Sequence, residues 1–90
     1  MEVDVLSIER NEGASGPREA AYDVKTKIDG QERTFEVLVT MGKIGPAPIS
    51  YAMFRDLGEM RIFRHDQRPI TAILKGVLDV YNREQALLPT

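Results

Sequence analysis

The stretch AYDVKTKIDGQERTFEVLVT, residues 21–40, decides the fold because it has the pattern of a complete β-hairpin. Apolar and polar side chains alternate on both sides of its centre, and the apolar ones are Tyr22, Val24 and Ile28 before it and Phe35, Val37 and Val39 after it. A period of two is typical of a strand with one buried face and one face in water. The two halves are therefore predicted to pair as antiparallel strands.

Asp29-Gly30 lies at the centre of this stretch and indicates its turn, since Asp-Gly supplies the positive φ angles of a type I′ turn. A two-residue turn pairs Val24 with Phe35, and a four-residue loop over residues 29–32 also keeps the apolar side chains on one face. A three-residue loop without a bulge would place Val24 opposite Glu36 and is excluded.

The segments that flank the hairpin are predicted to be one strand and two flexible loops. Residues 3–9 form the strand, and its apolar residues change face between Val5 and Leu6, which indicates a β-bulge or a strand covered on both sides. Residues 11–18 and 41–49 are rich in glycine and proline, a composition typical of irregular connections.

A short helix and a fourth strand are predicted to follow the second loop. Ser50 suits the N-cap of a helix, and residues 51–57 have helical apolar spacing that ends before Gly58. Residues 59–64 alternate between polar and apolar side chains, which favours a strand, although a continuation of the helix past Gly58 is the alternative.

The second long element is a helix that begins near Asp66 or Gln67, with Pro69 in its first turn, and ends before Pro89. Its apolar residues spread over about half of the circumference and are Ile70, Ile73, Leu74, Val77, Leu78, Val80, Tyr81, Leu87 and Leu88. A glycine inside a helix costs about 1 kcal/mol relative to alanine. We therefore expect Gly76 to mark a close crossing between this helix and the sheet.

These elements predict one α+β domain over residues 1–90. Three to four antiparallel strands form a small sheet, the long C-terminal helix packs against one face, and one short helix is inserted in the order β-β-β-α-β-α.

Composition and charge limit the classes of function. The net charge of −2 offers no broad attraction to nucleic acid or to an anionic membrane. The chain has no cysteine, which fits a reducing compartment, and it has no apolar run of the roughly 18 residues that span a bilayer. The start, MEVDVLSIER, lacks the pattern of a signal peptide. We expect a cytoplasmic protein that does not bind membranes.

Catalytic, cofactor and metal sites are not expected from the sequence. His65 is the only histidine, and no serine lies in a G-x-S-x-G motif. The acidic residues are scattered outside apolar runs, and phosphate-binding and calcium-binding loop motifs do not occur. The sequence therefore favours a protein that is not an enzyme and carries no cofactor.

One charged segment is a candidate nucleic-acid contact. Its basic residues are Arg55, Arg61, Arg64, His65 and Arg68, with Phe54 and Phe63 between them. Arginine beside aromatic rings is a common way to hold single-stranded nucleic acid. The alternative is a solvated rim with both phenylalanines in the core, because acidic residues are interspersed along the segment.

The wide apolar face of the C-terminal helix is a candidate protein interface. A helix on one sheet needs an apolar stripe only somewhat wider than 100°, so its far end is expected to leave Val80, Leu87 and Leu88 for self-association or a protein partner. The alternative is a chain end that frays in solvent.

The order of a hairpin around Asp29-Gly30, a short helix after Ile49-Ser50 and a long helix carrying Tyr81 resembles a family of small proteobacterial proteins of unknown function. The resemblance covers residues 22–81 and departs from the family at residues 42–48. It implies a bacterial origin but assigns a role to no residue.

The sequence thus defines a fold class more sharply than a function. We expect a non-enzymatic protein-interaction or binding module. The alternative is a small RNA-binding or DNA-binding protein that uses residues 55–68.

Overall fold

The computed structural model describes residues 2–64 and 66–87. Four strands are followed by one long helix, with a short 3₁₀ helix before the second strand and another after the fourth. The elements are β1 (Val3–Arg10), a first 3₁₀ helix (Glu12–Ala14), β2 (Glu19–Ile28), β3 (Gln31–Ile44), β4 (Ala47–Phe54), a second 3₁₀ helix (Leu57–Phe63) and α1 (Gln67–Leu87).

The strands form one antiparallel sheet in the order β1-β2-β3-β4, and α1 contacts all four strands from one side. The predicted α+β class, with a small antiparallel sheet against a long C-terminal helix, is confirmed. The predicted order is wrong in one respect. The fourth strand precedes the short helix, so all four strands come before the second 3₁₀ helix and α1.

The β2–β3 hairpin has the predicted two-residue turn. Val24 pairs with Phe35, and Ile28 pairs with Gln31. Asp29 has a φ of 48° and Gly30 a φ of 86°, the two positive values that define a type I′ turn. The β-bulge predicted in β1 is also present, as a shift in the pairing with β2 around residue 6.

The segment 41–49 is not the loop that its composition predicts, because it forms the tip of a second hairpin. Ile44 pairs with Ala47 around the turn Gly45-Pro46. Gly45 has a φ of 59°, the positive value that the first position of a type II′ turn requires. Pro48 is tolerated because it lies in the last strand of the sheet, where a missing N–H breaks no ladder bond if it faces outward.

The helix predicted at 51–57 and the strand predicted at 59–64 are both wrong. Residues 47–54 are β4, and residues 57–63 are the second 3₁₀ helix, capped by Asp56, whose Oδ1 accepts a hydrogen bond from Gly58 N at 2.9 Å. The spacing of Tyr51 and Phe54 has a helical period only because β4 carries apolar residues on both faces. A two-faced strand has no alternation to detect.

Residues 11–18 connect β1 to β2 and are hydrogen-bonded back onto the sheet. The Asn11 side chain accepts a hydrogen bond from Ala14 N at 3.2 Å. The Ser15 hydroxyl donates to the Asn11 carbonyl at 2.8 Å and accepts from Ala21 N at 3.0 Å. The last of these bonds satisfies a backbone N–H of β2 beyond the end of β1.

Three phenylalanine rings form the centre of the core at the β4 end of the sheet. Phe35 meets Phe54 edge to face with ring centroids 5.6 Å apart, and the Phe63 ring lies 5.4 Å from Phe35 and 6.1 Å from Phe54. All three are buried. Phe63 therefore holds the second 3₁₀ helix against the sheet.

The helix α1 buries one stripe, formed by Ile70, Ile73, Val77 and Tyr81. It begins at Gln67 as predicted, with Asp66 Oδ1 accepting a hydrogen bond from Arg68 N at 3.0 Å. The close crossing predicted at Gly76 is confirmed. A Cβ atom placed there would lie 3.2 Å from Cδ1 of Ile8 in β1.

Truncation of the aromatic core should separate buried from exposed positions of the second 3₁₀ helix. Phe63→Ala is expected to lower the free energy of unfolding by about 3–5 kcal/mol, because it leaves a cavity between the other two rings. Leu57→Ala, at a side chain that is 62% exposed, is the matched control and should change it by less than about 0.5 kcal/mol. Urea denaturation measures both, and equal losses would contradict this core.

The crossing at Gly76 should show coupling with Ile8. Gly76→Ala alone gains helix propensity but presses its new methyl group against Cδ1 of Ile8. In an Ile8→Val background that atom is absent, so Gly76→Ala should stabilise by about 1 kcal/mol, and by clearly less in the wild type. A double-mutant cycle in urea measures the difference, and strict additivity would contradict the close contact.

Candidate interaction surface on the fourth strand

One face of the sheet is covered by α1, and no α-helix of the described residues packs on the opposite face, here called the open face. On β3 and β4 the open face carries apolar side chains: Leu38, Ile44, Ile49, Tyr51 and Met53. All but Leu38 are exposed, with Tyr51 at 46% and Met53 at 42%. The hairpin formed by these strands therefore presents an apolar surface to solvent.

The outer edge of β4 has backbone groups without a strand to bind. Arg55 N donates to Glu36 O at 3.0 Å, which fixes the hydrogen-bonding phase between β3 and β4. Because bonded and non-bonded pairs alternate in an antiparallel ladder, the N–H and C=O groups of Ser50, Ala52 and Phe54 point away from β3. The ring nitrogen of Pro48 lies on the same outer side.

The two edge strands of the sheet differ in how well they resist pairing with another chain. β1 contains the bulge near Leu6 and the charged residues Asp4, Glu9 and Arg10, features that discourage edge pairing. β4, with the sequence APISYAMF, has no charge and no break in its register with β3. Pro48 protects only its first turn-proximal positions. β4 is therefore the edge that can accept another strand.

Charges surround the apolar surface but do not enter it. Arg55, just after β4, is held by Glu36 of β3 at 2.7 Å from Nη1 to Oε1. The register with β2 places Glu19 and Asp23 on the open face as well. A surface with an apolar centre and a charged rim is typical of a protein interface.

In the structure, the residues of the arginine-rich segment predicted to contact nucleic acid lie in different environments. Arg55 is paired with Glu36, and Arg68 with Asp66 at 3.1 Å. Arg61 and Arg64 are exposed on the second 3₁₀ helix and just after it, and His65 lies outside the described residues. Phe54 and Phe63 are buried among themselves and are not free to stack on bases. A role of this segment in nucleic-acid binding stays a prediction.

The residues predicted as an interface at the end of α1 are also separated. Val80 is partly buried and packs against the core, whereas Leu87 is 84% exposed. Leu88 lies outside the described residues. An interface role for these three residues stays a prediction. The wide apolar face of α1 is used in part by the second 3₁₀ helix, which contacts it.

A polar cluster lies between the end of α1 and the start of β2. Glu84 binds Arg10 of β1 at 3.2 Å, and the Tyr22 hydroxyl is buried nearby without a hydrogen-bond partner among the described residues. Burial, and after it the negative charge of Glu84, raises the pKa of Tyr22 to about 12. Glu84 is thus close enough to act on the hydroxyl electrostatically.

A small cavity next to this cluster is lined by Arg10, Ala20, Met41 and Tyr81, among others. Among residues 2–64 and 66–87, no three acidic or histidine side chains come together in a way that would hold a metal ion. Within the same residues, α1 is too polar to be a bilayer-spanning helix, and no other helix qualifies.

The exposed residues of β4 were missed by the sequence analysis. The sequence signal that could have found this strand is the glycine of the turn Gly45-Pro46, which indicates a hairpin in place of a loop. Comparison of the chain with protein-family models, curated proteins and solved structures finds no match.

Removal of the Tyr22 hydroxyl tests whether it is without a partner. Tyr22→Phe should stabilise the fold by about 1 kcal/mol at neutral pH, because a buried hydroxyl without a hydrogen bond costs free energy. Thermal or urea unfolding measures the change, and a clear destabilisation would show that the hydroxyl is bonded.

The same pair of proteins gives a pH test. The folded pKa of Tyr22, about 12, lies above the ordinary value near 10. Between these two pH values the unfolded chain loses the hydroxyl proton while the folded protein keeps it, so the free energy of unfolding falls as the pH rises. The wild type should therefore lose stability relative to Tyr22→Phe over that interval. A constant difference between the two would contradict the raised pKa.

Proposed function

We propose that the protein is a non-enzymatic protein-interaction module that binds an extended segment of a protein partner along the outer edge of β4. The observation that carries the proposal is the uncharged edge of β4 with outward N–H and C=O groups at Ser50, Ala52 and Phe54. Addition of a strand to a sheet edge is a recurring mode of peptide recognition.

The backbone and the side chains of this edge have different tasks in such binding. The outward N–H and C=O groups can form hydrogen bonds with the backbone of any extended segment. The apolar side chains of Tyr51 and Met53 determine which segments bind, because a bound strand places every second side chain beside them on the open face. Methionine and tyrosine are both enriched in the centres of protein interfaces.

The location that fits this role is the cytoplasm. A chain without cysteine forms no disulfides, which fits a reducing compartment. The proposed interface uses backbone pairing and needs no disulfide.

A photo-cross-linking amino acid tests the proposal in cells that express the protein natively. Benzoylphenylalanine in place of Tyr51 keeps an aromatic ring at the open face and should give a covalent adduct on irradiation. The control carries the same group at Thr71, an exposed residue of α1, and should give no adduct.

A third variant ties the adduct to the edge of β4. Ser50→Pro, added to the Tyr51 variant, removes one outward N–H in the way that Pro48 already does, and should abolish the adduct while circular dichroism stays native. No adduct at position 51, or equal adducts at 51 and 71, would overturn the proposal.

A further inference from the structure

We infer that the strand bound at β4 is β4 of a second copy of the chain, in antiparallel orientation about a two-fold axis. The inference rests on the proposed function and names its partner. Such pairing joins the two four-stranded sheets into one continuous sheet, with identical backbone contacts contributed by both copies.

The position of Pro48 selects the register of this pairing. If the axis passes through Ala52, Ser50 pairs with the partner's Phe54 and Ala52 pairs with the partner's Ala52, and every outward N–H between them finds an acceptor. If the axis passes through Tyr51, Pro48 lies opposite the partner's Phe54 and leaves that carbonyl without a donor. The register centred on Ala52 is therefore preferred.

The charges at the two ends of β4 complement each other in this orientation. Lys43 is the ladder partner of Pro48, and Arg18 lines the same surface depression, so this end is basic. At the other end Asp56 follows β4 directly, while Glu59, Arg61 and Arg64 lie farther along the chain and Arg55 is neutralised by Glu36. With the axis at Ala52, an antiparallel pair places Pro48, and Lys43 beside it, opposite the partner's Asp56. A parallel pair would bring Lys43 beside the partner's Lys43.

The apolar side chains of the open face also meet in this register. Tyr51 lies opposite the partner's Met53, and the second such contact follows from the symmetry. Methionine sulfur against an aromatic ring is a favourable contact. In the isolated chain both side chains are about half exposed, so the pairing removes apolar surface from water at the centre of the assembly.

Sedimentation equilibrium of the purified chain tests the inference. The wild type should show a mass that rises with concentration from 10.1 kDa toward twice that value. Ser50→Pro removes a donor at two symmetric positions and should weaken the association at least about tenfold. Met53→Lys should weaken it as well, by placing a charge opposite the partner's Tyr51. The control Thr71→Lys, on the exposed face of α1, should associate like the wild type.

Single cysteines test the register, since the chain has no cysteine of its own. An equal mixture of Tyr51→Cys and Met53→Cys should form a mixed disulfide dimer under mild oxidation faster than either variant alone, because directly opposite residues lie within disulfide range. Efficient dimers of Tyr51→Cys alone would overturn the register centred on Ala52. Thr71→Cys is the control for random oxidation.

The outcomes separate this inference from the proposed function. A wild type that stays monomeric up to millimolar concentration overturns the inference. If position 51 then still cross-links in cells to a protein of another sequence, the proposed function stands with a different partner. A monomeric protein without any adduct at position 51 overturns both.

Discussion

The turn at Asp29-Gly30 is the constraint on which the rest of the structure depends. Its two positive φ angles set a two-residue connection, and that connection fixes which residues of β2 and β3 face each other. A slip of one residue would send Val24 and Phe35 to opposite faces of the sheet. The position of β3 in turn sets the register of β4, because β3 pairs with both β2 and β4.

The side of the sheet that α1 occupies follows from this register. Phe35, Phe54 and Phe63 lie on one side of the sheet, and α1 covers them there together with Val24 and Val37. The helix has one buried stripe and is the one α-helix among residues 2–64 and 66–87, so no α-helix covers the second face of the sheet. On this face β2 carries the charged side chains of Lys25 and Lys27, whereas β4 carries Tyr51 and Met53.

The sequence predicts those elements in which the spacing of apolar and polar residues shows which face is buried. β2 and the first half of β3 have one buried and one polar face, so their pairing follows from parity alone. α1 has a wide apolar face, and Gly76 within it indicates the crossing with Ile8. β4 has no such signal, because Phe54 faces the core while Tyr51 and Met53 face outward, and both sets are apolar.

The candidate surface was not predictable for a related reason. The exposure of Tyr51 and Met53 depends on which face α1 covers, and the free edge at Ala52 depends on the order of the strands. Both are properties of the assembled fold, and no window of local sequence contains them. The predicted site at residues 55–68 relied on composition, which does not show that Arg55 and Arg68 have acidic partners. The predicted site at the end of α1 relied on the width of its apolar face, which does not show that Val80 packs against the core.

The β-bulge in β1 has a consequence for the size of any assembly that this chain makes. A sheet with two receptive edges can add molecules at both and grow into a filament without limit. Here the bulge at residues 5–7 and its charged neighbours leave one receptive edge per molecule. An assembly formed through the edge of β4 would therefore stop at two molecules, because pairing uses the receptive edge of both.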